Sequence, residues 1–115
     1  MRILISFDID GTLEIGDPAG PVTLDMVRRA RERGYIIGTC SDRPLGVQKE
    51  LMERQNIQMD FVALKQELGE VRAAFAAEQY YHIGDTELDR LFAQQAGFGF
   101  IWMKAAATEL RINLR

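Results

Sequence analysis

The sequence predicts an α/β domain, a mostly parallel five-stranded sheet with helices on both faces. Three observations carry this expectation. Short apolar runs rich in β-formers alternate with stretches whose apolar residues recur at helical spacing, the pattern of strands joined by crossover helices. Glycine or proline stands at most of the boundaries between them. Residues able to do chemistry follow the strand-like runs, where parallel sheets bind ligands.

Taken in order, Ile3 to Phe7 is a largely apolar run too short for a helix, and it reads as a buried strand. Gly11 to Pro21 holds three glycines and two prolines and reads as a loop. Thr23 is placed to cap a helix in which Leu24, Val27 and Ala30 fall at helical spacing, and Gly34 is placed to end it. Tyr35 to Cys40 is a second strand. Pro44 suits the first turn of a helix running to about Asn56. Phe61 to Leu64 is a third strand, and Leu64, Leu68, Val71 and Phe75 share one face of the helix expected next, which Gly69 weakens. Tyr80 to Ile83 is a fourth strand, Thr86 to Ala96 a helix closed by Gly97, and Phe98 to Trp102 a fifth strand. Tyr80, Tyr81, Trp102 and the phenylalanines from Phe92 to Phe100 are expected in the core. The Ala-rich tail from Lys104 is expected to add a helical turn or to fray.

With 115 residues, 47% apolar and 27% charged, the chain is expected to form one globular domain over residues 1–115. The net charge of -3 and the absence of a Lys/Arg stripe with interleaved aromatics argue against tight nucleic-acid binding. The single cysteine, Cys40, excludes an intrachain disulfide and fits a reducing compartment. No apolar run is long enough to cross a bilayer, and the opening MRILISFDIDGT does not have the make-up of a leader. The expectation is a soluble cytoplasmic protein.

The chemically capable residues gather after four strands: Asp8 and Asp10 after the first, Thr39, Ser41, Asp42 and Arg43 after the second, Lys65 after the third, and Asp85 after the fourth, with Asp89 one turn on. Two Asp two apart can face the same way as the chain leaves the sheet, and Gly11 permits a tight turn. Asp85 and Asp89, four apart at a helix start, are expected to share a helix face. So many carboxylates in one place call for a cation, and hard oxygen ligands suit Mg²⁺. Lys65, the Ser41 hydroxyl and loop N–H groups would complete a cradle for a phosphate dianion. A carboxylate can attack phosphorus to give an aspartyl-phosphate, and a second, Asp10, can protonate the leaving oxygen and then activate water.

The segments FDIDGTL, CSDRP, ALKQEL and IGDTELD together resemble the four ordered motifs of the haloacid dehalogenase superfamily, over about Ile3 to Trp102. The resemblance implies a Rossmann-like three-layer sandwich and an Mg²⁺-dependent phosphomonoester hydrolase. In that family pattern Asp8 is the nucleophile, Asp10 the general acid/base, and Ser41 and Lys65 hold the phosphoryl group. Asp8, the backbone carbonyl of Asp10, and Asp85 bind the metal, and Asp89 supports it. Two departures stand out. Neither Leu13 to Val22 nor Arg43 to Asp60 has room for a cap domain, and Gln66 follows Lys65 where proline is frequent. Open family members act on large substrates or let a second subunit cover the site, so a homo-oligomer is among the expected partners beside a phosphorylated substrate.

Plainer readings compete. Asp8 and Asp10 would be solvated turn acids, Asp85 and Asp89 favourable charges at a helix N-terminus, Ser41 a helix cap and Lys65 a surface lysine. Thr39 rivals Ser41, and Lys49 rivals Lys65 from within a helix. Cys40 reads as a small buried side chain, His82 as packed on the sheet, and Arg43 as a solvated partner of Asp42 or, less simply, a substrate contact. The loop Glu14 to Gly20 is a substrate-facing flap or a plain connection. Two other functions remain beside the hydrolase: a non-catalytic metal-binding domain, and a phosphatase for nucleic-acid ends.

Overall fold

The computed structural model describes residues 1–115. Five strands, β1 (Ile3–Phe7), β2 (Ile36–Ser41), β3 (Phe61–Leu64), β4 (Gln79–Gly84) and β5 (Gly99–Trp102), form one sheet in the order β3-β2-β1-β4-β5. Every neighbouring pair is parallel. The helices are α1 (Leu24–Glu32), α2 (Leu45–Arg54), α3 (Leu68–Ala74) and α4 (Glu87–Gln95). The result is a Rossmann-like three-layer domain without a cap.

Alternation along β1 explains the layers. Ile3, Ile5 and Phe7 enter one core with Val27 and Ala30 of α1 and Met52 of α2, whereas Leu4 enters the opposite core with Leu68 and Val71 of α3 and Ala93 of α4. Because β1 is central, both of its faces are dry, and all five residues are buried. The chain steps from β1 to β2 to β3 on one side and then crosses to β4 on the other. The order reverses between β1 and β4, so the cleft-forming position lies where Asp8 and Asp85 leave those strands.

The helix ends follow the expected chemistry. The Thr23 hydroxyl accepts from the Met26 N–H at 3.2 Å, and Gly34 closes α1 at φ +82°. The third helix departs from expectation. Residues Lys65–Glu67 form a 3₁₀ turn, and Phe75 is already extended at φ -126°. The Glu67 carboxylate accepts from the Leu64 N–H at 2.7 Å, tightening that turn, and Phe75 leaves the helix to pack on Phe61 at 5.5 Å between ring centroids. Trp102 is not core. It is 40% exposed at the end of β5, edge-on to Phe100.

The tail does not fray. After the 3₁₀ turn Met103–Ala105, Ala106, Ile112 and Leu114 are buried in the α1–α2 core, and the Tyr35 hydroxyl donates to the Ile112 carbonyl at 2.9 Å. Sparse apolar residues at irregular spacing hid this from a periodicity argument. Replacement Ile112→Ala is expected to lower the unfolding free energy by about 2–4 kcal/mol in urea titration. A change below roughly 0.5 kcal/mol would mean that the tail adds no packing.

Candidate functional site

The site is built on the carboxyl ends of four strands. The Asp8 N–H donates to the Ile83 carbonyl at 2.9 Å, locking the end of β1 to β4. Side chains alternate along a strand, so Asp8 emerges on the same side as Leu4 and Ser6, towards α3 and α4. There Asp8, Asp85 and Asp89 each offer an oxygen, and these oxygens lie within 4.8 Å of one another. Asp8 and Asp89 are buried and Asp85 is half-buried. This all-oxygen group could bind a metal ion.

Two glycines make the approach feasible. A Cβ on Gly11 would lie 1.8 Å from Asp85 Oδ2, and Gly11 also has φ +78°, so no other residue type suits the position. A Cβ on Gly84 would meet Asp89 Cγ at 2.5 Å. The carboxylates therefore rest against backbone that has no side chain.

Lys65 closes the ring of charge. The tight turn after β3 carries its amine inward, to 3.5 Å from Asp8 Oδ1, 3.2 Å from Asp89 Oδ1 and 3.5 Å from Asp42 Oδ2, with the side chain only 6% exposed. Burial pulls the amine down, but Asp8, Asp89 and Asp42 outweigh it, and Lys65 stays protonated. The rival Lys49 lies on α2 beside Met52 and Glu53, in a groove away from this edge.

Asp8 is held unlike its neighbours. Burial, then the Asp89 charge and a proton shared with Asp85, push its carboxyl up to about 8, against the pull of Lys65. Thr12 Oγ1 donates to Asp8 Oδ2 at 3.2 Å. Burial also acts on Asp89, but there the His82 ring, the Thr86 hydroxyl and Lys65 win and hold it well below the usual carboxylate range. Asp89 Oδ1 lies 2.9 Å from His82 Nε2. Its Oδ2 accepts from Thr86 Oγ1 at 2.7 Å and from the Thr86 N–H at 3.2 Å. The Thr86 hydroxyl returns the contact to the Asp89 N–H at 3.2 Å, a reciprocal cap that starts α4.

This arrangement amends several expectations. Asp85 precedes the helix and Asp89 is its third residue, so they do not share a helix face, yet an oxygen of each reaches Asp8. Asp10 and Arg43 form the pair expected of Asp42 and Arg43. Arg43 Nη2 donates to Asp10 Oδ1 at 2.6 Å and Nε to Oδ2 at 3.0 Å, while the Asp17 N–H donates to Oδ1 at 2.8 Å. Asp10 opens the turn that follows β1, and its carboxylate is not among those that converge with Asp8. The Arg43 contact holds the Asp10 carboxyl below its usual range.

Ser41 is buried at the end of β2. It accepts from the Arg43 N–H at 3.1 Å and does not cap α2, whose first turn has no side-chain cap. Thr39 is committed elsewhere, donating to Gln48 Oε1 at 2.8 Å. Cys40 is buried, and desolvation pushes its thiol up to about 12, so it is inert at neutral pH. The loop Glu14 to Gly20 folds back on the first motif through Gly11 N–H to Pro18 carbonyl at 2.7 Å and the Asp17–Asp10 contact.

Sequence reasoning missed Ser6, Thr12, Gln48 and the role of His82. His82 is packed on the sheet as expected, but it also bridges Ser6 Oγ at 2.8 Å and Asp89. The available signal was pairing: Ser6 and His82 sit opposite each other in a parallel register that the fold class implies. No protein-family model and no curated protein matches this chain. No helix is long and apolar enough to cross a membrane.

The crowding of acids has a measurable consequence. Asp8 has its folded-state proton affinity raised, so the stability it confers is present below about pH 4 and is lost as pH rises towards 8. In chelator, Asp8→Asn is expected to be more stable than wild type by roughly 1–2 kcal/mol at about pH 8, with the gap shrinking at about pH 5. Equal urea midpoints at both pH values would show that the cluster stores no repulsion.

Proposed function

We propose that this chain is an Mg²⁺-dependent phosphomonoester hydrolase of the haloacid dehalogenase superfamily, acting through an aspartyl-phosphate on Asp8. The observation that carries this reading is the buried contact of Lys65 with Asp8 beside Asp85 and Asp89, with Ser41 at the neighbouring strand end. A nucleophilic carboxylate, a fixed cation and oxygen donors for a metal are the parts that phosphoryl transfer needs. The four motifs in family order support it further.

The donor set fits a hard divalent cation. Its oxygens converge, and burial and the neighbouring Asp89 charge raise the Asp8 carboxyl above its usual range. Asp8, Asp85 and the Asp10 carbonyl would hold the ion, with Asp89 behind them. When bound, Mg²⁺ supplies charge neutralisation between Asp8 and the phosphoryl oxygens.

The steps belong to the chain's own residues. An Asp8 oxygen attacks phosphorus, the P–O ester bond breaks, and Asp10 gives a proton to the leaving oxygen. Water then attacks phosphorus while Asp10 takes its proton. The Asp8–phosphorus bond breaks, releasing inorganic phosphate and restoring the carboxylate. Lys65 holds phosphoryl oxygen throughout and anchors Asp8 against Asp89; the Ser41 hydroxyl is free to donate to the same group because it only accepts from Arg43.

One observation favours the alternative of a metal-binding domain without catalysis: both Asp10 oxygens are engaged by Arg43. Hydrolysis of p-nitrophenyl phosphate separates the two. Turnover that needs Mg²⁺ and falls by roughly 10⁴-fold or more in Asp8→Asn is expected. Absence of turnover, joined with no Mg²⁺-dependent binding of beryllium fluoride by calorimetry, would leave metal binding alone.

A further inference from the structure

Two cations stand just beyond the strand ends, Lys65 after β3 and Arg43 after β2, and they differ in how firmly they are held. Lys65 is buried among three carboxylates. Arg43 is 27% exposed, and its single ionic partner, Asp10, is 36% exposed. Water reaches both partners, and an arriving carboxylate that takes Asp10's place keeps the same two hydrogen bonds, so the exchange costs little. The guanidinium already presents its planar fork, Nε and Nη2, to two carboxylate oxygens.

The backbone beneath this arm is fixed. The Arg43 N–H is bonded to Ser41 Oγ, and the Arg43 carbonyl accepts from Gln48 Nε2 at 2.8 Å. Gln48 is fully buried and also reaches the Ala63 carbonyl at 3.0 Å. A rigid base with a solvated side chain lets the guanidinium move without disturbing Ser41. Nearby, exposed Asp17 and Asp42 would repel an anion, so Arg43 is where the rim accepts one.

Asp10 gives the direction. In the hydrolase reading, on which this inference rests, its carboxylate serves the leaving oxygen, so Arg43 stands on the leaving-group side and Lys65 on the phosphoryl side. We propose that Arg43 selects phosphate esters whose leaving group carries a second anion, with a carboxylate the closest match to the one it already holds. The substrate carboxylate takes the guanidinium fork, and both Asp10 oxygens are released towards the leaving oxygen. A neutral leaving group offers nothing in exchange and leaves Asp10 engaged.

The test compares 2-carboxyethyl phosphate with n-propyl phosphate, alike but for the carboxylate, in saturating Mg²⁺. Wild type is expected to favour the carboxylate ester in kcat/KM by about 10- to 100-fold. In Arg43→Gln the ratio is expected to fall to within roughly threefold of unity, with Arg43→Lys between, since an ammonium keeps charge but not the fork. A purely structural role would lower both esters together and preserve the ratio, which overturns the proposal, as does a wild-type ratio near one. Failure of the hydrolase reading looks different: wild type turns over neither ester and binds neither by calorimetry, and the proposal falls with its premise.

Discussion

The interaction on which the site depends is the burial of Lys65 against Asp8 and Asp89. Asp8 and Asp89 are buried beside half-buried Asp85, with one oxygen of each within 4.8 Å of the others, and such crowding of carboxylates is costly without a cation. One lysine offsets part of that charge, and burial together with the Asp89 charge raises the Asp8 carboxyl. The fold therefore carries a deficit of positive charge at the carboxyl ends of β1 and β4. A divalent ion bound there would satisfy it.

Everything around that deficit serves to keep the acids apart in role while close in space. Asp89 has His82, Thr86 and Lys65 as partners, so it is the settled anion that anchors the lysine. Asp8 has Thr12 and Lys65 and is the group left unsettled. The difference comes from the elements carrying them. Asp89 sits inside the cap of α4 and collects its donors locally, whereas Asp8 ends a central strand and faces whatever other strands bring. Like carboxyls with unlike environments are the usual basis for dividing chemical roles.

A groove between α2 and β3, lined by Met52, Ile57 and Val62, lies away from the acids. Without a cap, the residues able to contact the distal part of a ligand are those of the rim, the Asp10–Arg43 pair and the loop held against it. The loop's contacts with Gly11 and Asp10 make it part of the first motif's geometry rather than a free flap.

Much of this was legible in the sequence because the relevant physics is local. The strands at Ile3–Phe7 and Phe61–Leu64, the Thr23 cap and the placement of Asp8, Ser41, Lys65 and Asp85 after strands all follow from period, turn residues and capping, which act over a few residues. What only the tertiary structure decided involves partners far apart in the chain. Ser6 meets His82 and Arg43 meets Asp10 through register and loop path, and Ile112 closes a core begun at Ile3. No spacing rule links residues 33 or 76 positions apart. The sequence by itself determined which groups reach the edge of the sheet. Packing decided which of them are buried and which partners each one meets, and the two together set their charge.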